Sequence, residues 1–206
     1  MSGLFITFEG IDGVGKSTQA DLLEAYLTQL GNEVIRTCEP GGTELGLEIR
    51  QLLLHRKGEV APRAEALLFA ADRAHHVATK IRPALAEGKV VISDRYFDSS
   101  VAYQGAGRAL SMEDVRQVSI WAVDGLLPQL TVLLDLDAAS ARARRNTTGE
   151  APDRMEREKI EYFEATRQAF LQLAAAEPDR FFVVDANQSV EVMQAQIRAR
   201  VNQLLG

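Results

Sequence analysis

Five short apolar runs punctuate the chain, at residues 4–8, 33–38, 90–93, 131–136 and 181–184. Most are continuous rather than alternating, the pattern of parallel strands covered on both faces. Longer stretches with helical spacing lie between them. One covers 17–30. Another covers 63–87, with Leu67, Leu68 and Ala71 at helical spacing and Pro62 suited to its first turn. The last covers 189–205, where Val192, Met193, Ile197, Val201 and Leu204 form one stripe. Strand and helix in alternation, joined by right-handed crossovers, predict an α/β fold: a doubly wound, five-stranded parallel sheet flanked by helices. No repeat or linker divides the chain, so one domain spans 1–206. Residues 142–155 break the rhythm: they open with arginines and pass through turn formers, as a mobile lid between two helices would.

Composition narrows the class. Hydrophobic residues make up 46% and charged residues 25% of 206, the balance of a globular protein. A formal net charge of -6 argues against a broad nucleic-acid-binding face. Cys38 is the single cysteine, so no intrachain disulfide forms. Neither a secretory pattern nor a membrane-length apolar run is present, and the expected location is the cytoplasm.

The strongest chemical signal follows the first strand. Gly10-Ile11-Asp12-Gly13-Val14-Gly15-Lys16-Ser17 fits G-x-x-x-x-G-K-[ST], with the required strand before it and helix after it. Such glycines turn backbone N–H groups onto phosphate oxygens, and the helix N-terminus adds a favourable dipole. Lys16 reaches the terminal phosphates, and Ser17 offers its hydroxyl to Mg²⁺. Residues 10–17, with Thr18 beyond them, are the expected ATP site of a P-loop NTPase fold. The motif specifies triphosphate binding but not the fate of the phosphate. Asp94 and Arg95 end the third apolar run, at the sheet edge where such folds bind ligands. Asp94 suits Mg²⁺ held through water and Arg95 suits a phosphate clamp; an ion pair bridging two elements is the alternative.

Longer motifs carry a resemblance. Phe8-Glu9-Gly10-Ile11-Asp12, Glu39-Pro40-Gly41-Gly42-Thr43, Phe69-Ala70-Ala71-Asp72-Arg73, Asp94-Arg95-Tyr96, Ser99-Ser100-Val101-Ala102-Tyr103-Gln104-Gly105 and Asp153-Arg154-Met155-Glu156 occur in order. In these the chain resembles bacterial thymidylate kinases over nearly its whole length. The resemblance implies transfer of the γ-phosphoryl group of ATP to thymidine monophosphate with Mg²⁺, feeding thymidine triphosphate synthesis for DNA replication, by a homodimer. A kinase for another nucleotide, or a P-loop switch without an acceptor, are the competing readings. The chain lacks the Asn-Lys-x-Asp guanine reader of the latter.

The resemblance also distributes roles. Asp12 orients the acceptor through its 3′-hydroxyl, and Arg95 grips the acceptor phosphate. Phe69 stacks on the base, although as a helix residue it reads equally as core. Arg73, Ser100 and Gln104 meet the base edge. Tyr103 packs where a ribose 2′-hydroxyl would sit, and Glu39 faces the metal or the acceptor phosphate. Cys38 stands where the family usually has arginine, leaving Arg36 as a possible substitute cation. Family members differ in the source of a charge-stabilising arginine. Gly13 beside Asp12, with Arg142, Arg144 and Arg145 leading into the lid, matches the subtype that keeps its arginines in the lid. Spacing places Arg142 and Arg145 on one helix face and Arg144 elsewhere. Arg154 reads as a structural ion pair, residues 185–188 as an adenine wall, and Trp121 as a candidate for the dimer face. Glu9 receives no role.

Overall fold

A computed structural model describes residues 3–106, 110–147, 153–155 and 157–205. Five strands, β1 (Leu4–Glu9), β2 (Val34–Cys38), β3 (Val90–Asp94), β4 (Leu130–Asp135) and β5 (Phe181–Asp185), form one sheet in the order β2-β3-β1-β4-β5. All four pairings are parallel. The central strand β1 sets the register: Ile6 lies opposite Ile92 on one side and Leu130 on the other. Phe5, Ile6, Phe8, Ile92 and Val132 are wholly buried, because helices cover both faces and the strands need no polar side. Each predicted run is a strand, displaced by no more than a residue or two at its ends.

Nine α-helices complete the described fold: α1 (Lys16–Gln29), α2 (Glu44–Arg50), α3 (Pro62–His76), α4 (Arg82–Ala86), α5 (Phe97–Ser100), α6 (Met112–Ala122), α7 (Ala138–Asn146), α8 (Ile160–Ala176) and α9 (Val190–Leu205). Side-chain caps mark several starts: Thr43 accepts from the Gly46 amide at 3.0 Å and Asp137 from the Ser140 amide at 2.9 Å.

The predicted helix 63–87 is three segments. A π-helical turn, Val77–Ile81, separates α3 from α4. Pro83 has no N–H to close an α-turn onto the Thr79 carbonyl, and the widened turn lies just before it. The apolar spacing in α3 also misled: Leu67 and Ala71 face outward, with Leu67 59% exposed. The inward face carries Glu65, Asp72, Arg73 and His76 instead. Likewise Val192 and Leu204 are exposed on α9, where Gln194 takes a buried place against α1. Of the expected lid, residues 148–152, with Glu156 just beyond it, lie outside the described residues.

Candidate active site

The phosphate loop joins β1 to α1 along the carboxyl edge of the sheet. Its shape depends on residues without side chains. Gly13 has φ 89°, and a Cβ there would lie 2.2 Å from the Ala141 carbonyl oxygen on α7. The helix leading to the lid therefore rests directly on the loop. Lys16 is buried and folded across it, donating to the Gly10 and Ile11 carbonyls at 3.1 and 3.0 Å, with Asp12 at 3.7 Å. Burial, with Arg95 nearby, lowers its amine below the ordinary lysine range. Ser17 Oγ donates to Asp94 Oδ2 at 2.7 Å. Around these groups opens a cavity of about 810 Å³, walled also by Arg36, Arg95, Arg144 and Arg145.

A smaller cavity of about 160 Å³ adjoins it, and Asp12, Glu39, Pro40, Arg50 and Arg95 line both. Arg95 occupies the junction. Its backbone adopts φ 69°, unusual for a side chain of this size and typical of functional turns. One end of its guanidinium donates to the Gly10 carbonyl and Ser99 Oγ, both at 3.0 Å. The other donates to Asp12 Oδ1 at 2.6 Å and the Tyr103 hydroxyl at 3.1 Å. Burial alone would raise the Asp12 carboxyl, but Arg95 and Lys16 outweigh it and hold its pKa at about 2. Asp12 is therefore a carboxylate at neutral pH, and its side chain stays 31% exposed.

The smaller cavity gathers Phe69, Arg73, Ser100, Tyr103 and Gln104, all predicted from separate stretches. Phe69 is half-buried and lines the cavity, so it is not a sealed core residue. Arg73 is only 1% exposed, yet its Nη1 has no hydrogen-bond partner. Nε reaches Glu39 Oε2 at 2.6 Å, and Nη2 reaches Ser100 Oγ at 3.1 Å and the Tyr96 carbonyl at 3.3 Å. Arg73 thus brings a buried guanidinium nitrogen with spare donor capacity to the lining of the smaller cavity. Gln104 donates to Glu65 Oε1 at 3.2 Å, and Arg154 binds the other oxygen of Glu65. The ion pair expected for Arg154 exists, with Glu65 as its partner rather than Asp153.

Glu39 faces the site less freely than its motif suggests. Its second oxygen takes the His76 Nδ1 contact at 2.9 Å, and Thr37 holds the far ring nitrogen at 2.7 Å. Cys38 lies half-buried in the wall of the larger cavity rather than in the core, and burial pushes its thiol upward. Arg36 sits in the same wall, 3.5 Å from Asp21 and 4.0 Å from Asp94. Two residues went unassigned in the sequence. Arg50 ends α2, lines both cavities and donates to the Pro40 carbonyl at 2.8 Å; a cation closing the short helix after Glu-Pro-Gly-Gly-Thr was its only signal. Glu9 is wholly buried beneath the junction. Burial, reinforced by nearby Asp98, pushes its carboxyl up to about 8.

As their spacing predicts, Arg142 and Arg145 line one cavity, beside Ile11 and Asp12, that Arg144 does not reach. Arg144 and Arg145 both line the larger cavity, and Arg144 donates to the Ala186 carbonyl at 2.8 Å. Arg142 does not line the larger cavity; it donates to the Glu158 carbonyl at 2.6 Å with its guanidinium over Phe163. Gln188 lines a further recess beside Gly15 and Thr18, next to Arg144.

Comparison with known proteins decides the class. The thymidylate kinase family model matches residues 8–197. The chain belongs to the thymidylate kinase family. It is accordingly a kinase, an enzyme of the transferase class, and a thymidylate kinase in function. Named relatives agree: it is 60% identical to the thymidylate kinase of Clavibacter sepedonicus, over all of this chain and 97% of that one. It is 62% identical to that of Leifsonia xyli subsp. xyli, over 97% and 95% of the two chains. The crystal structure of thymidylate kinase from Ehrlichia chaffeensis superposes with a TM-score of 0.80 at 30% identity, covering 98% of this chain and 99% of that one. A kinase has a phosphoryl donor and an acceptor to accommodate, and the two cavities of this chain adjoin.

Proposed function

We propose that the larger cavity holds ATP, the smaller one thymidine monophosphate, and that Asp12 and Arg95 align them. The observation that carries this reading is the junction itself. A carboxylate from the donor loop and a guanidinium from the opposite turn lie 2.6 Å apart between the cavities. Holding two phosphates in line supplies most of phosphoryl-transfer catalysis. Lys16 leaves its loop carbonyls to contact the terminal phosphates. Arg95, with Arg50 beside it, grips the acceptor phosphate, and Asp12 accepts from the acceptor's 3′-hydroxyl. Phe69 stacks on the base, the free N–H of Arg73 meets a base oxygen, and Ser100 and Gln104 complete that edge. Tyr103 fills the space a ribose 2′-hydroxyl would need. Glu39 acts by holding Arg73 rather than by touching a phosphate. Arg144 and Arg145 stabilise charge on the transferring group from the lid side, the arrangement of the lid-arginine subtype.

Ser17 and Asp94 would hold Mg²⁺. Their hard oxygen pair suits that ion, which takes its other ligands from water and phosphate. When bound, the ion neutralises charge on the β- and γ-phosphates.

We also propose a homodimer, a reading that an exposed apolar surface supports. Trp121 on α6 is 83% exposed, and Leu67 is exposed on α3, which packs against α6. The single cysteine suits the cytoplasm. Among the described residues no helix is long and apolar enough to cross a membrane.

A coupled assay of ADP release with Mg²⁺-ATP and a panel of nucleoside monophosphates tests the reading. Thymidine monophosphate should stimulate release far above background hydrolysis. Equal stimulation by every pyrimidine monophosphate, or none, would refute it. Sedimentation at micromolar concentration checks the dimer.

A further inference from the structure

Glu9 is the largest investment in buried polarity that the reaction so far leaves unused. It ends β1, next to Gly10, and is completely enclosed. Oε1 accepts from the Tyr96 amide at 2.8 Å and the Ser99 amide at 3.3 Å. Ser99 Oγ donates to Glu9 Oε2 at 2.5 Å and itself accepts from Arg95 Nη1 at 3.0 Å. A continuous chain therefore runs Glu9–Ser99–Arg95–Asp12, from beneath the sheet edge to the junction of the cavities.

Anchoring α5 does not require Glu9. Asp98, also on α5, is held by both terminal nitrogens of Arg180 at 2.6 and 2.9 Å, and Arg180 binds Thr131 Oγ1 at 2.8 Å. That pair already ties the short helix to the far side of the sheet. What Glu9 adds is aim. Without Ser99 fixed in place, Arg95 Nη1 would keep only the Gly10 carbonyl, and the guanidinium would be aimed chiefly by its Nη2 contacts to Asp12 and Tyr103, the groups that face the junction. Its aim matters because the backbone at Arg95 is already committed to a left-handed turn.

We propose that Glu9 is a positioning residue for the acceptor: through the Ser99 hydroxyl it fixes the guanidinium of Arg95 at the junction. The short Glu9–Ser99 contact carries a hydrogen in either ionisation state, supplied by Ser99 when Glu9 is charged and by Glu9 when it is neutral. Ser99 Oγ is held in both. The proposal rests on the reading of Arg95 as the acceptor-phosphate contact.

Three full-length variants test it: Ser99→Ala, Glu9→Gln and Arg95→Ala. Steady-state kinetics for each substrate and thermal unfolding are read together. Ser99→Ala removes the link but leaves Glu9 on its two amides, so its unfolding temperature should stay near wild type. Its KM for thymidine monophosphate should rise about tenfold, the effect of losing one aimed hydrogen bond to a charged group, with KM for ATP unchanged. Glu9→Gln still accepts from the backbone amides and donates an N–H to Ser99 Oγ, holding it as the neutral acid does, so its KM for both substrates should stay near wild type. Unchanged acceptor kinetics in Ser99→Ala overturn the proposal. So does a loss shared equally by both substrates and tracking lost stability, since that marks a purely structural role. If Glu9→Gln fails to fold, Ser99→Ala decides alone. If Arg95→Ala also leaves acceptor KM untouched, the reading of Arg95 fails; if Arg95→Ala is defective and Ser99→Ala is normal, only the link through Ser99 fails.

Discussion

Asp12 Oδ1 and Arg95 Nη2 meet at 2.6 Å although 83 residues separate them along the chain. One belongs to the loop that cradles the donor, the other to the turn that ends β3. Parallel pairing of β1 with β3 sets Phe8 opposite Asp94, and this register delivers both residues to one point. Asp12→Ala should lower kcat by about a hundredfold, because misalignment damages the transition state more than it weakens binding. ATP KM should change little. An effect seen in ATP KM alone would contradict the placement.

Tyr103 has two separable functions here. It lines the smaller cavity, and its hydroxyl bonds Arg95 at 3.1 Å and Asp12 at 3.4 Å. Tyr103→Phe should keep the preference for deoxy over ribo acceptors while lowering kcat/KM several-fold, at about 1 kcal/mol for a lost hydrogen bond. Tyr103→Ala should narrow the preference itself. Competition between the two acceptor types measures this, and equal discrimination in both variants would return Tyr103 to a packing role.

The lid arginines should not be equivalent. Arg144 and Arg145 wall the phosphate cavity, whereas Arg142 is spent on a carbonyl and a ring. Alanine at Arg144 or Arg145 should reduce kcat by about tenfold or more, in line with losing one charge-stabilising donor. Arg142→Ala should act mainly on stability. Single-turnover rates for the three variants give the ranking, and a larger chemical defect in Arg142→Ala would reverse it.

Gly13 should tolerate no side chain. The Cβ of Gly13→Ala would fall 2.2 Å from the Ala141 carbonyl, with φ 89° adding strain. Either the loop or α7 must shift, so activity should drop for donor and acceptor alike. Wild-type kinetics in Gly13→Ala would show that α7 moves freely.

Buried acids give the fold a pH dependence with a definite sign. Glu9 rises from 4.5 to about 8 and Asp72 from 3.8 to about 6, both chiefly through burial. The folded chain therefore holds these protons more tightly than the unfolded chain. Their contribution is complete below the ordinary values and is lost as pH rises toward 8. Asp12, held at about 2, acts oppositely but only in strong acid. Thermal unfolding followed from pH 5 to 8.5 should show stability falling, with a shallower slope in Glu9→Gln. Parallel slopes would mean that Glu9 does not titrate in this range.

The sequence by itself determined what local pattern can encode. Short apolar runs located all five strands, and β1, β3 and β4 are continuous because a strand covered on both faces has no polar alternate. The glycines, Lys16 and Ser17 announced the phosphate loop, since backbone amides form that site and only spacing is needed to specify it. Short motifs likewise located Phe69, Arg73, Ser100, Tyr103 and Gln104. The tertiary structure decided which partners those residues keep. Phe69 lies on a cavity wall, Glu39 and His76 clasp Arg73, and α3 turns Leu67 outward while burying charged groups, because distant side chains satisfy them. Periodicity reports polarity and cannot see that a buried charge has been paired. Gly13 is intelligible only with α7 lying on it, and Glu9 only with Ser99 and Arg95 brought within reach by the β1–β3 register.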